Sequence, residues 1–266
     1  MKNKRSSAAF LLALCLLAGS IAWHEDMFAG AAPKEPGEVL ELRESNSKTY
    51  LLDDGTYEAH IFAEDIHYTE GDGKEYKDIV NTLVDEKKTI DETEYIYRNE
   101  ANKITARLAA DASGDSVARI ELGEYSVSSG LVNKSSAEAQ RMDKLDIPAL
   151  EGAVDPAASV IYKNISPDTD LIYEVKNHGI KEYLIIRKAT EQTEFAFTVK
   201  AEGLTAKQGI GGVYFTNSKG ESVFDMGNLF IMDSEHATPK DEEQSFSISG
   251  ENGSLYGKAK RIGGMA

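Results

Sequence analysis

Cysteine is almost missing from this chain: one residue, Cys15, in 266. A single thiol cannot close an internal disulfide, so a bridge-stapled scaffold is excluded. Tryptophan is as scarce, with Trp23 alone. Basic residues are outnumbered, 29 Lys and Arg against 45 Asp and Glu, for a net charge of -16. Such a surface repels a phosphate backbone and an anionic headgroup, which argues against nucleic-acid partners and against docking on a lipid surface. No apolar run reaches the ~20 residues of a membrane-spanning helix. Apolar side chains are plentiful at 41%, enough for a packed core and too many for wholesale disorder. The length suits one large domain or two small ones.

Lys2, Lys4 and Arg5 open the chain, and residues 8–22 form a leucine-rich apolar run. A basic start, a short apolar stretch and a small-residue exit read as a secretory signal peptide. The preferred cleavage follows Ala29-Gly30-Ala31, with Ala29 and Ala31 as the small residues of the site; a cut after Ser20-Ile21-Ala22 is the alternative. Cys15 lies inside the apolar run behind Leu14, where a lipoprotein signal needs a small residue, so lipid attachment is set aside. Cleavage before Ala32 removes both Cys15 and Trp23 and leaves no membrane segment. The exported protein then depends for its stability on its core rather than on bridges.

Beyond a Pro-containing linker, the pattern is a series of hairpins. Thr49 to Leu52 and Thr56 to Phe62 flank Asp53-Asp54-Gly55, a strong hairpin signal because these residues tolerate positive φ. Tyr57, Ala59 and Ile61 point one way and Glu58, His60 and Phe62 the other. Further strands are expected at 66–68, 76–80, 94–97, 103–108, 117–122, 125–128 and 171–175. The series continues through 180–186, 194–199, 212–215, 222–224, 229–232, 246–249 and 255–258. Residues 85–95 are charge-rich and weakly patterned and read as a loop. Residues 135–146 (SSAEAQRMDKLD) read as a short helix capped by serine and closed by Pro148. Many short strands separated by turns predict an all-β antiparallel sandwich with one short helix between its halves. The expected organisation is a leader at 1–31, a linker at 32–45 and a hairpin region at 46–132. A connector at 133–158 and a sandwich region at 159–266 follow, with 46–266 able to form one composite domain.

Reactive constellations are sparse. The exported chain retains His60, His67, His178 and His236, without an H-E-x-x-H string or a cysteine pair, so no zinc site is expected. Serine hydrolysis lacks its G-x-S-x-G elbow. Gln208 to Gly212 looks like a phosphate loop but leads into a strand, whereas a phosphate cradle needs a helix N-terminus. No cofactor is expected, with calcium as the one ion considered: Asp168 and Asp170 follow Pro167 and supply the oxygen chemistry such an ion takes. Tyr50, Tyr57, Tyr68 and Tyr76 cluster in the first hairpins and form the candidate ligand surface.

Three stretches carry a resemblance: residues 46–83 (NSKTYLLDDGTYEAHIFAEDIHYTEGDGKEYKDIVNTL), 161–186 (IYKNISPDTDLIYEVKNHGIKEYLII) and 212–233 (GVYFTNSKGESVFDMGNLFIMD). In this order they resemble the N-terminal β-rich region of large secreted bacterial proteins of the wall-associated, RHS-repeat and DNRLRE-domain type. The resemblance implies an extracellular or wall-attached location and a non-catalytic, structural or presenting role. Downstream domains of a parent protein or cell-wall components are the implied partners. The family continues past the strand at 254–258 into a Trp-Leu pair and a Pro-Val-x-Ile-Asp-Pro segment, whereas this sequence reads RIGGMA. It is therefore expected to be a fragment of a larger chain. The alternative function is a carbohydrate- or peptide-binding sandwich.

Overall fold

The computed structural model describes residues 37–71, 73–145, 152–188, 194–209, 212–227, 231–233, 236–240, 245–247 and 254–260. The leader with Ala29 and Ala31, and residues 261–266, lie outside the described residues. The chain divides into two compact units, Met1–Lys77 and Asp78–Ala266.

In the first unit β1 (Gly37–Glu38), β2 (Ser47–Leu51) and β3 (Tyr57–Ile61) form an antiparallel sheet in that order. The Asp-Gly turn joins β2 to β3 as its residue types require. Gly55 sits at φ 80°, and the Asp54 carboxylate accepts hydrogen bonds from the backbone N and the hydroxyl of Thr56 at 2.9 and 2.6 Å. β4 (His67–Tyr68) pairs with β5 (Lys77–Asp78).

The second unit starts as a meander of β6 (Val80–Ile90), β7 (Thr93–Ala101), β8 (Thr105–Ala109), β9 (Ala118–Leu122) and β10 (Tyr125–Leu131). A second sheet then forms in chain order from β11 (Ala139–Arg141), β12 (Ser159–Ser166), β13 (Thr169–Lys176) and β14 (Gly179–Ile186). The chain returns to the first sheet with β15 (Glu194–Glu202), which pairs with β10. A third sheet is built from β16 (Thr205–Gly209), β17 (Gly212–Thr216) and β18 (Ser222–Met226), followed by the hairpin of β19 (Ile231–Asp233) and β20 (His236–Lys240). Finally β21 (Ser245–Ser247) and β22 (Ser254–Lys260) extend the first sheet beyond β15 to eight strands. All strand pairs with a described register are antiparallel, and the all-β sandwich expected from the turn spacing is the fold observed.

The core follows the two-residue period of the strands. Ala106 and Leu108 of β8, Ala118 of β9 and Leu131 of β10 bury one face of the long sheet. They pack against Val160 and Tyr162 of β12 and Leu171, Tyr173 and Val175 of β13. Each fully buried Leu or Val contributes roughly 1.5–3 kcal/mol. The alternate residues of the second sheet, Ile161 and Ile172, face the other way and are covered by Met142, Leu145 and Val154 of the connector. A third cluster, Val199, Val213 and Phe215, joins β15 to the third sheet.

Two segments adopt a structure other than the one their residues suggest. Residues 135–145 do not make the short helix: they form β11 and one 3-10 turn, Met142–Lys144. The long sheet and β12 claim this backbone, since Ala112 N bonds Ala137 O, Ala139 N bonds Ala110 O, and Gln140 pairs with Ile161. Tertiary pairing outweighs a modest helix propensity. Residues 85–95 are not a loop but the arms of the longest hairpin. Its turn is Asp91-Glu92, with φ of 46° and 66°, between the paired Ile90 and Thr93. A primed two-residue turn with Glu in a left-handed position lacks the usual Asn-Gly or Asp-Gly signal.

Candidate functional site

Strand register decides where the four candidate tyrosines go. Tyr50 pairs with Glu58 while Tyr57 pairs with Leu51. Cross-strand partners share a face, so Tyr50 and Tyr57 lie on opposite faces of the same sheet. Tyr50 stacks at a tilt on His60, centroids 5.0 Å apart, and His60 meets the Glu58 carboxylate at 2.6 Å. Tyr76 instead packs beside His67 at 6.1 Å, whose Nδ1 lies 2.7 Å from the Glu44 carbonyl oxygen. Tyr68 borders the Glu70–Lys77 ion pair, and burial together with the nearby Glu70 raises its phenol above the ordinary range. The structure thus brings Tyr50 to His60 and Tyr76 to His67 but does not gather the four rings onto one platform. Tyr57 stays half exposed, next but one on β3 to Ala59 and then Ile61, both also exposed.

Asp168 lies in the turn between β12 and β13 with φ 54°, and Asp170 is the second residue of β13, opposite the irregular stretch of β12 where Asn164 has φ 57°. Both carboxylates already have cations. Asp170 is ion-paired with Arg187 and accepts from the Asn164 backbone N at 2.8 Å, and Asp168 meets Lys188 Nζ at 3.1 Å. An incoming calcium ion would have to displace Arg187 from Asp170. Among the described residues no three His, Cys, Asp or Glu side chains converge in a metal-binding group.

The most organised polar array is one that the sequence reading did not single out. On the outer face of the long sheet Arg98 pairs across strands with Arg107, and Arg107 with Arg119. Three guanidiniums in a cross-strand row would repel one another. Three carboxylates interleave them. Glu86 sits 2.7 Å from Arg107 Nε and 3.6 Å from Arg98 Nε. Glu121 pairs with Arg107 through one oxygen and with Arg119 Nε at 2.9 Å through the other. Glu202 receives Arg119 Nη2 at 2.6 Å and the Ser126 hydroxyl at 2.8 Å. Arg107 and Arg119 are buried by this arrangement. The Arg119 and Ser126 hydrogen bonds hold the Glu202 carboxyl down to about 2. Burial pushes the Glu121 carboxyl up, but bonds from Arg119 and Arg107 win and it stays below the usual range. The alternation Arg119-Ile120-Glu121 was the available signal, but its partners lie up to 83 residues away.

A second buried charge sits on the outer face of the smaller sheet. Glu174 is fully buried and accepts from Lys176 Nζ at 2.6 Å, Tyr183 Oη at 2.7 Å and Asp155 N at 2.8 Å. Three donors, one of them cationic, are what a buried carboxylate needs to remain charged. Both arrays lock strands together. Each guanidinium of the row and each oxygen of Glu174 is engaged, so neither array presents a free nucleophile or an open acid–base pair.

The chain is 27% identical over 206 residues to a wall-associated protein of Geobacillus stearothermophilus, spanning 76% of this chain and 78% of that one. It is 25% identical over 201 residues to the tRNA3(Ser)-specific nuclease WapA of Bacillus spizizenii and to the tRNA nuclease WapA of Bacillus subtilis. Those matches span 74% of this chain but only 8% of each nuclease. No protein-family profile matches the chain, and no solved structure does.

Proposed function

We propose that the exported chain is a non-catalytic structural module of a bacterial cell-surface or wall-associated protein, holding or presenting neighbouring domains. The observation that carries this reading is the likeness to the Geobacillus wall-associated protein, which extends along about three quarters of both chains. The buried polar arrays are consistent with it: ionic networks whose members are all satisfied rigidify the sheets that carry them. The nuclease activity in the names of the Bacillus proteins belongs to chains of which this one spans 8%, and the reading does not extend it here. Downstream domains of a parent protein and cell-wall components are the proposed partners, and the location is extracellular.

The test is fractionation of a Bacillus host expressing the tagged chain, with N-terminal sequencing of the product. Recovery from the wall or medium with Ala32 at the N-terminus is expected, and the purified protein should leave tRNA intact. Retention in the cytosol, or hydrolysis abolished by one acidic substitution, overturns the reading. A second reading, ligand binding on the first unit, is favoured by the exposed face of Tyr57 and Ile61. Glycan-array binding lost in Tyr57→Ala would promote it.

A further inference from the structure

Strand edges with free backbone groups recruit other strands unless they are short, bulged, charged or covered. In the second unit three of the edges are managed in these ways. β6 has register shifts between Val80 and Leu83 and between Asp85 and Lys88, and carries Asp85, Glu86, Lys87 and Lys88. β11 and β21 are three residues each. β14 is different. Its eight residues, GIKEYLII, pair with β13 in unbroken register from Lys176↔Gly179 to Thr169↔Ile186.

The two-residue turn Asn177-His178 makes Lys176 and Gly179 a hydrogen-bonded pair, which fixes the direction of every group beyond it. Gly179, Lys181, Tyr183 and Ile185 turn their N–H and C=O groups to β13. Ile180, Glu182, Leu184 and Ile186 turn theirs outward, and among the described residues these have no backbone partner. Both faces of the strand are apolar: Ile180 and Leu184 join the sandwich core, and Tyr183 and Ile185 join the cluster around Ile172.

We propose that β14 is a self-association edge, on which a second copy of this chain pairs its own β14 antiparallel about a twofold axis at Tyr183, fusing the two smaller sheets into one. The open backbone groups specify a strand as the occupant, and two observations specify a second copy. First, the strand is self-complementary in this register. Ile180 falls opposite Ile186 of the second copy, Glu182 opposite Leu184, Lys181 opposite Ile185 and Tyr183 opposite itself. Outward-facing residues therefore meet outward-facing residues, and no like charges stand directly opposed. Second, residues 168–188 balance Lys176, Lys181, Arg187 and Lys188 against Asp168, Asp170, Glu174 and Glu182 in a chain of net charge -16. Three of those cations are already ion-paired to Glu174, Asp170 and Asp168. Here a second acidic chain approaches without the repulsion that it meets elsewhere.

Sedimentation equilibrium of the purified full chain over a range of concentrations reads the mass. A reversible doubling is expected, and Ile186→Pro, which deletes an outward N–H at an exposed position, should weaken it at least tenfold. The register is read by cysteine pairing in a Cys15→Ser background. Lys181→Cys and Ile185→Cys should form a disulfide-linked dimer when mixed and none when either is oxidised alone. Their Cα atoms would lie about 4.5 Å apart at a non-hydrogen-bonded pair, within disulfide range. A mass that stays monomeric at every concentration overturns the proposal. So does a dimer that fails to cross-link in the mixture, which is informative even where Ile186→Pro does not fold.

Discussion

Tyr162, on the smaller sheet, donates its phenolic hydrogen to the carbonyl oxygen of Ala109, on the long sheet, at 2.7 Å. This bond crosses the sandwich core with both ends buried. The neighbouring Tyr173 meets Tyr162 edge-on, centroids 6.2 Å apart, and is as deeply buried, but its hydroxyl makes no bond of ordinary geometry and sits beside the Glu182 carboxyl instead. Two chemically identical side chains therefore serve different partners, one a backbone carbonyl and the other a carboxyl.

Truncating each hydroxyl should separate them. Tyr162→Phe leaves the Ala109 carbonyl without its donor and is expected to cost about 1–3 kcal/mol. Tyr173→Phe removes a hydroxyl that has only the weaker contact with Glu182 and should cost clearly less than Tyr162→Phe. Urea denaturation of the two variants checks the contrast, and equal losses would contradict it.

The arginine row makes a second prediction. Glu121 is the carboxylate shared by Arg107 and Arg119, so Glu121→Ala leaves two buried guanidiniums facing each other. A loss on the order of 3 kcal/mol is expected in chemical denaturation. Replacing Arg107 and Glu121 together by apolar residues of similar volume should restore much of it, because a buried pair contributes less than its broken half costs.

Two carboxyls give stability opposite pH dependences. Glu202 is held at about 2 against an ordinary 4.5, so its contribution is present above pH 4.5 and is lost as pH falls toward 2. Glu182 is pushed up to about 7 by burial, outweighing the Tyr173 hydroxyl beside it. Its contribution is complete below pH 4.5 and is lost as pH rises through about 7. Urea midpoints measured from pH 2 to 8 should rise and then fall. Glu202→Gln should flatten the acid limb and Glu182→Gln the neutral one, each leaving the other limb in place.

Gly130 in β10 supplies a steric test. A Cβ at this position would meet the Gly114 carbonyl oxygen at 2.7 Å and the Asp115 backbone at 2.9 Å. Gly130→Ala should cost about 2 kcal/mol or more by forcing these backbones apart. A melting temperature equal to the parent's would show that the loop at 114–115 yields freely.

Strand positions were legible wherever side-chain alternation and turn chemistry are local properties. Asp53-Asp54-Gly55 and Asn177-His178-Gly179 each join the strands that their residues predict. Failure came where the deciding partner is remote. The backbone of residues 139–141 is a strand because Ala110 and β12 supply its hydrogen bonds, which no local propensity encodes. The charges of 85–95 read as a loop because Glu86 finds its partners, Arg98 and Arg107, only when the meander assembles.

The amino-acid order alone thus determined an acidic, cysteine-poor β protein, since composition and period-two patterning act through each residue's own neighbours. Tertiary structure decided which tyrosines share a face, which aspartates carry cations and which arginines stand in a row. Each of those outcomes depends on strand register, and a shift of one residue sends every side chain to the opposite face.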